Sequence, residues 1–392
     1  MSFPRLPRIS VLALLLCSSF VDAATNVLMW HNDEARTGQN LTERQLTLAN
    51  VNSANFGKLF QINVDGNIDA QPLIICGVAI PNSGVHNVVI IATEHDTVYC
   101  CDADDGTVLW TKSMLKTGEQ PSDNRGCFQV TPEIGVTSTP VIDLTSDPHG
   151  TIYVVAMSKS VTNYFQRLHA LDLTTGAEQF GGPVDIVATY PGTGDNNNGH
   201  GSVVFDPKQY KERAALVLDN GLIYTAWASH CDIRPYTSWI IAYDKNTLAR
   251  VRVLNLTPNG REGAIWASGA GPAQDQSGNI YALTGNGSFE TTLDADGFPI
   301  NGDFGNCIVK LSDLNGATVV SDYWTMSNTV SESASDEDLG SGGAMVLPDM
   351  VDSGGHTRHL VVGAGKDAHI YLADCDNLGK FLRAITRRST KM

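Results

Sequence analysis

The residues of this chain that could do chemistry are widely separated in order. An acidic run, Asp336-Glu337-Asp338, precedes Gly340-Ser341-Gly342-Gly343, and Lys366 follows Gly363-Ala364-Gly365. A carboxylate can act as a general base, and an ammonium can stabilise negative charge as it develops, so Asp338 and Lys366 form a coherent pair if they face one ligand. Trp266 lies eighteen residues before the turn Thr284-Gly285-Asn286-Gly287. A flat aromatic ring stacks on a planar ligand, and the oxygen of Asn286 suits a hard cation. Each of these residues also has an ordinary reading: a solvated acidic loop, a surface lysine, a packing tryptophan and a tight turn. Asp294-Ala295-Asp296-Gly297, with Asn301 and Asp303, has oxygens at calcium-like spacing but lacks the closing Glu of an EF-hand. His95, His200 and His230 have no metal-ligand spacing, and residue order alone reveals no Ser/His/Asp arrangement.

Residues so far apart need a scaffold that gathers them, and a repeat supplies it. Val98 to Trp110 and Leu168 to Phe180 each run from an apolar strand into an Asp turn, with Gly four residues after Asp and an aromatic four residues after Gly. The pattern predicts a strand, a turn whose Gly takes positive φ, and a return strand whose aromatic packs on the neighbouring unit. Weaker copies contain Asp244, Asp313 with Gly316 and Trp324, and Asp374 with Gly379 and Phe381. The five Asp residues, 102, 172, 244, 313 and 374, are 70, 72, 69 and 61 positions apart. One four-stranded sheet per repeat fits that period. The expected fold is all-β, a propeller of four-stranded antiparallel blades with about five present.

Composition limits the partners. Met1 to Ala23 reads as a signal peptide, with Arg5 and Arg8 before the apolar run Val11 to Phe20 and small residues at the cleavage site. The rest, 24–392, reads as one propeller domain that is secreted or periplasmic and has no membrane span. A net charge of −16, from 26 basic and 42 acidic residues, disfavours nucleic acid. Seven cysteines follow the signal, an odd number for an oxidising compartment. No Cys-x-x-Cys-His occurs, so haem c is not expected.

Trp30-His31-Asn32-Asp33-Glu34-Ala35-Arg36-Thr37-Gly38, then Gly57-Lys58-Leu59-Phe60, together with the Asp-to-Gly-to-Trp repeats, resemble the quinoprotein alcohol dehydrogenases. That resemblance implies a propeller holding pyrroloquinoline quinone (PQQ) and Ca²⁺ on its axis. It also implies site roles: Trp266 as the floor under the quinone, Asn286 and Asp338 as metal ligands, Asp338 as catalytic base, and Lys366 as the cation on a quinone carbonyl. The substrate would be a small alcohol or polyol. Two departures stand against it. Met157-Ser158-Lys159 carries a lysine where the family places a metal carboxylate, with Glu133 as a substitute. The stretch that would hold an adjacent Cys-Cys pair has only Cys127. Cys127 and Cys231 both follow strands whose loops should reach one face, which makes them the preferred disulfide; Cys100 and Cys101 point to opposite faces of a strand.

Fold does not transfer chemistry, so a second function stays open. It is a non-catalytic extracellular propeller that binds a protein or carbohydrate. A period of about 68 gives little more than five blades in the 369 residues after the signal, whereas a closed quinoprotein ring has seven or eight. The expectation is an incomplete ring, truncated at the C-terminus.

Overall fold

A computed structural model describes residues 25–146 and 148–382. The signal expected at 1–23 and the basic tail at 383–392 lie outside the described residues. Among those residues no helix is long and apolar enough to cross a membrane.

The described residues form a β-propeller of five successive antiparallel sheets, with two further two-stranded ribbons, Thr189–Pro191 with Ser202–Val204 and Met350–Val351 with Thr357–Arg358. The first pairs Leu73–Ile80, Gly84–Ala92, Thr97–Asp102 and Val108–Ser113 in order. The second is built on Val141–Asp143, Thr151–Lys159, Tyr164–Asp172 and Val184–Asp185, with Gln120–Asp123 joined at the end of its second strand. The third holds Val217–Asp219, Leu222–Ser229, Trp239–Asp244 and Arg250–Asn255, with Tyr210–Glu212 also paired to its long strand. Ala273–Gln274, Ile280–Leu283, Cys307–Leu314 and Ala317–Thr325 make the fourth. Met345–Val346, Leu360–Ala364 and Ile370–Asp374 make the fifth.

Why the sheets stack is visible in single strands. Thr151–Lys159 is apolar on both faces: Ile152, Val154 and Ala156 pack against the first sheet, while Tyr153 and Val155 pack against the third. Alternation splits each inner strand between two neighbours. The same division sends Ile280 and Ala282 to the third sheet and Tyr281 and Leu283 to the fifth. Each core is therefore an interface between blades, and burying one such Leu or Ile stabilises it by about 1.5–3 kcal/mol.

The Asp turns occupy the same place in each sheet, after the third strand. Gly106 donates to the carbonyl of Asp102 at 2.9 Å, Gly176 to Asp172 at 2.8 Å, and Leu248 to Asp244 at 2.8 Å. All three donors have left-handed φ, +82°, +68° and +56°, so the third copy places a leucine where glycine is favoured. The fourth copy differs: Asn315-Gly316 is a two-residue hairpin turn with both residues at positive φ.

The expected aromatic docking occurs where the aromatic exists. The indole N–H of Trp110 donates to the carbonyl of Leu173 at 3.1 Å, and its ring lies over Gly176. Phe60 covers Gly106 in the same manner, and Trp324 lies beside Gly379. The third blade's outer strand, Arg250–Asn255, has no aromatic, and Gly316 is uncovered. There Arg252 and the hydroxyl of Tyr224 reach Asp313 at 3.6 and 3.0 Å instead.

Candidate active site

Antiparallel order dictates which loops share a face. Segments after the second strand of each sheet and segments between sheets both emerge at one end of the propeller, opposite the Asp turns. Asn286 and Lys366 are of the first kind, and Trp266 and Asp338 of the second. Cys231 and Cys127 fall on the same end and form a disulfide, with Cα atoms 5.6 Å apart. Cys100 and Cys101 are separate thiols.

The four candidates come together around Gly285. A Cβ placed on that glycine would lie 2.7 Å from Asp338 Oδ1 and 2.7 Å from Trp266 Nε1, so these two atoms are no more than twice that distance apart. The backbone N–H of Asn286 donates to Asp338 Oδ1 at 2.5 Å, and Lys366 Nζ lies 2.7 Å from Asp338 Oδ2. Lys366 also reaches Asp336 at 2.8 Å, and the Asn286 amide donates to the same Asp336 oxygen at 2.9 Å.

Local backbone holds this arrangement. Gly365 passes so close that an added Cβ would sit 2.4 Å from the Asp338 carbonyl oxygen, which itself accepts the Lys366 N–H at 2.9 Å. Any side chain at 365 would separate the strand carrying Lys366 from the loop carrying Asp338. Ile265 donates to the Trp227 carbonyl and Gly285 to the Ala264 carbonyl, which fixes Trp266 between the third and fourth sheets. Ala267 and Ser268 next to it have φ of +49° and +47°, a conformation non-glycine residues seldom adopt outside sites that require it.

Burial raises the pKa of Asp338 above the usual carboxylate range, opposed by the Asn286 N–H and Lys366, with Asp232 adding to the rise. For Lys366, burial pulls downward, but Asp336 and Asp338 outweigh it and hold the ammonium charged. Trp266 is nearly buried, with Tyr236 edge-on at 6.4 Å and the Arg213 guanidinium 5.9 Å above its ring. Among the described residues its indole N–H has no hydrogen-bond partner.

Several residues here were not singled out from sequence. Asp232, which accepts the Tyr236 hydroxyl at 2.7 Å, is the carboxylate that acts on Asp338, and it comes from the third sheet. Lys159 does not intrude: it pairs with Asp123 at 2.5 Å. Glu133 binds His95 Nδ1 at 2.8 Å. Asn306 donates to Ser333 and accepts the Leu339 N–H, bracing the Asp338 loop.

The donor set does not fit calcium. Ca²⁺ takes six to eight oxygens. Among the described residues no three His, Cys, Asp or Glu side chains gather as ligands, and the charge between Asp336 and Asp338 is the Lys366 ammonium. A planar acidic group fits better, because the unpartnered indole N–H, the Arg213 guanidinium and the Lys366 ammonium offer a ring and cations together.

No protein-family model matches the chain, and no curated protein does. Solved structures do. A quinohemoprotein alcohol dehydrogenase from Pseudomonas putida aligns with a TM-score of 0.61 at 17% identity, covering 90% of this chain and 47% of that one. Its counterpart from Comamonas testosteroni gives 0.61 at 17%, covering 92% and 49%. A europium-containing methanol dehydrogenase gives 0.61 at 14%, covering 92% and 58%. The chain thus has the propeller fold of the quinoprotein dehydrogenases and spans about half the length of these structures. Identity this low carries the fold and not the chemistry.

Proposed function

We propose that the chain binds an acidic, planar quinone such as PQQ against Trp266 and oxidises a small alcohol. The observation that carries this reading is the convergence of Trp266, Asp338 and Lys366, from three different loops, around Gly285. The quinone, when bound, supplies the acceptor for two electrons and a proton. Asp338, held by the Asn286 N–H, accepts the alcohol proton on its carboxylate; a raised affinity for protons makes it a stronger base than an exposed aspartate. Lys366 stabilises negative charge in the site and opposes the rise that burial gives the Asp338 pKa. Secretion, carried over from the leader at 1–23, would place this activity outside the cytoplasm.

The test is a titration of the purified protein with PQQ, with and without Ca²⁺, followed by dye reduction with primary alcohols and polyols. Saturable quenching of tryptophan fluorescence and alcohol-dependent reduction are expected. Asp338→Asn, which keeps an acceptor for the Asn286 N–H, should bind the quinone and lose reduction by at least about 100-fold. Absence of binding by the wild type rejects the reading.

A second reading, a non-catalytic binder of carbohydrate, draws on a polar cleft of about 480 Å³ on the same end of the propeller. Thr193, Asp195, Asn197, Arg234, Asn259 and Ser288 line it. Amides, hydroxyls and an arginine suit sugar hydroxyls, and glycan-array binding without dye reduction would favour it.

A further inference from the structure

Three cations crowd one tyrosine on the loop end of the propeller. The Arg125 guanidinium lies 5.1 Å from the centre of the Tyr164 ring, and the ammoniums of Lys208 and Lys159 lie 5.5 and 6.0 Å from it. Arg213 joins them through Gln129, whose side-chain oxygen accepts its guanidinium N–H at 3.1 Å. Two carboxylates stand among them: Asp123 pairs with Lys159 at 2.5 Å, and Asp206 accepts the Lys208 backbone N–H at 2.9 Å. Four cations against two carboxylates make a positive patch on a chain whose net charge is −16. Like charges held this close repel, and an anion laid among them relieves the repulsion.

The patch adjoins the polar cleft of about 480 Å³. The Cys127–Cys231 disulfide ties the loop of Arg125 to the loop of Arg234, a wall of the cleft, and Gln209, next to Lys208, donates its amide to the carbonyl of Ile233, next to Arg234. The cleft itself is rigid. An added Cβ on Gly194 would lie 2.4 Å from the Gly260 carbonyl oxygen, and one on Gly260 would lie 2.3 Å from the Ser288 side chain. The Asp195 N–H donates to the Gly260 carbonyl at 2.8 Å, and the Asn259 N–H to Asp303 at 2.9 Å. Both oxygens of Asp195 are taken by Arg234 at 2.7 Å, which neutralises that carboxylate, whereas the Arg261 side chain is 56% exposed with Glu262 3.9 Å away. A row of cationic groups, Arg125, Lys208, Arg234 and Arg261, thus runs from the patch through the cleft with amides and hydroxyls between them.

We infer that this strip binds an acidic polysaccharide, a chain of uronate sugars, with one residue in the cleft whose carboxylate meets Arg261 and neighbouring residues whose carboxylates meet Lys208 and Arg125. Each uronate carries one carboxylate among several hydroxyls, and the strip repeats that alternation; a guanidinium fork also suits a carboxylate. The inference rests on the carbohydrate reading of the cleft and needs no quinone. An acidic protein is the competing partner, but protein interfaces centre on buried aromatic or apolar anchors, and the centre of this strip is polar. A preformed cleft spares the ligand the cost of ordering its walls.

The test is calorimetric titration of the whole chain with hexagalacturonate, with its methyl ester, and with poly-L-glutamate. At about 0.15 M salt the Debye length is about 8 Å, so the ligand feels the strip more than the acidic remainder of the chain. The uronate should bind at least about 10-fold more tightly than its ester. Lys208→Glu and Arg261→Ala should each weaken it by about 3- to 20-fold, while Lys58→Glu, which changes the net charge as much at an exposed position before the first sheet, should leave it unchanged. If acid and ester bind alike and Lys208→Glu has no effect, the inference falls and the carbohydrate reading of the cleft stands. If poly-L-glutamate binds as tightly as the uronate and Arg261→Ala alters neither, the patch takes an acidic peptide and the inference falls. No binding of any of the three by wild type overturns the inference and the carbohydrate reading together.

Discussion

The ammonium of Lys366 lies 2.7 Å from Oδ2 of Asp338, although one residue follows the second strand of the fifth sheet and the other precedes that sheet. Asp338 is buried and Lys366 is about half exposed, so the pair is weaker than a fully buried one. It nonetheless joins the Asn286 N–H in opposing the rise that burial gives the Asp338 pKa.

Lys366→Met should therefore push Asp338 further toward its protonated form and cost about 1–2 kcal/mol near neutral pH. Its pKa is already raised in the folded chain, so its contribution to stability is greatest at acid pH and falls as pH rises through the folded value. Without the ammonium that fall extends to higher pH. Urea midpoints measured across the acid-to-neutral range for wild type, Lys366→Met and Lys366→Arg check this, and identical pH profiles for wild type and Lys366→Met would contradict it.

Blade docking gives a second prediction. Trp110 combines a hydrogen bond to the Leu173 carbonyl with a ring laid over Gly176, so Trp110→Ala should cost about 3 kcal/mol. Gly176→Ala should be comparably harmful for two reasons: φ there is +68°, and an added Cβ would lie 2.7 Å from the indole. Gly316→Ala meets no neighbour and should cost only the strain of its φ of +80°. Chemical denaturation of the three variants should rank Gly316→Ala mildest.

These positions also explain what sequence could convey. The Asp-to-Gly-to-Trp copies around Asp102 and Asp172 were legible because turn and docking aromatic lie within one short segment. The copy at Asp313 was misleading: its Gly316 belongs to a type I′-like hairpin, three residues after the Asp, and takes no aromatic. Asp338, Lys366, Trp266 and Asn286 could be proposed because the segments around them resemble those of the quinoprotein dehydrogenases. Asp232 and Arg213 could not, because nothing in their local sequence distinguishes a side chain facing the propeller axis from one facing another blade. The part attributed to Lys159 shows the same limit: the nearby carboxylate comes from the third sheet, not the second.

Glu94 provides a prediction about pH. Burial, reinforced by Asp69, raises it to about 8, while the Gly135 N–H and Thr137 oppose the rise. A carboxyl raised in the folded state binds its proton more tightly there than in the unfolded chain. Its stabilising contribution is complete below the ordinary carboxylate range and is lost as pH rises through about 8. Glu94→Gln removes that titration, so its urea midpoint should decline less than wild type between mildly acidic and mildly alkaline pH. Parallel declines would contradict the assignment.

The disulfide between Cys127 and Cys231 ties the segment that enters the second sheet to a loop of the third, across 104 residues of sequence. Closing so long a loop restricts the unfolded chain, so Cys127→Ser with Cys231→Ser should lower stability by about 2–5 kcal/mol. Because His230 is next to Cys231, and Asp232 lies one residue beyond it, losing the bridge should also loosen the loop that faces Asp338. Hydrogen exchange at 230–238 should then speed up in the double variant and in reduced wild type alike, while exchange in the fifth sheet, which the bridge does not reach, stays unchanged. Equal acceleration in both regions would mean that the bridge supports the propeller globally and not this loop.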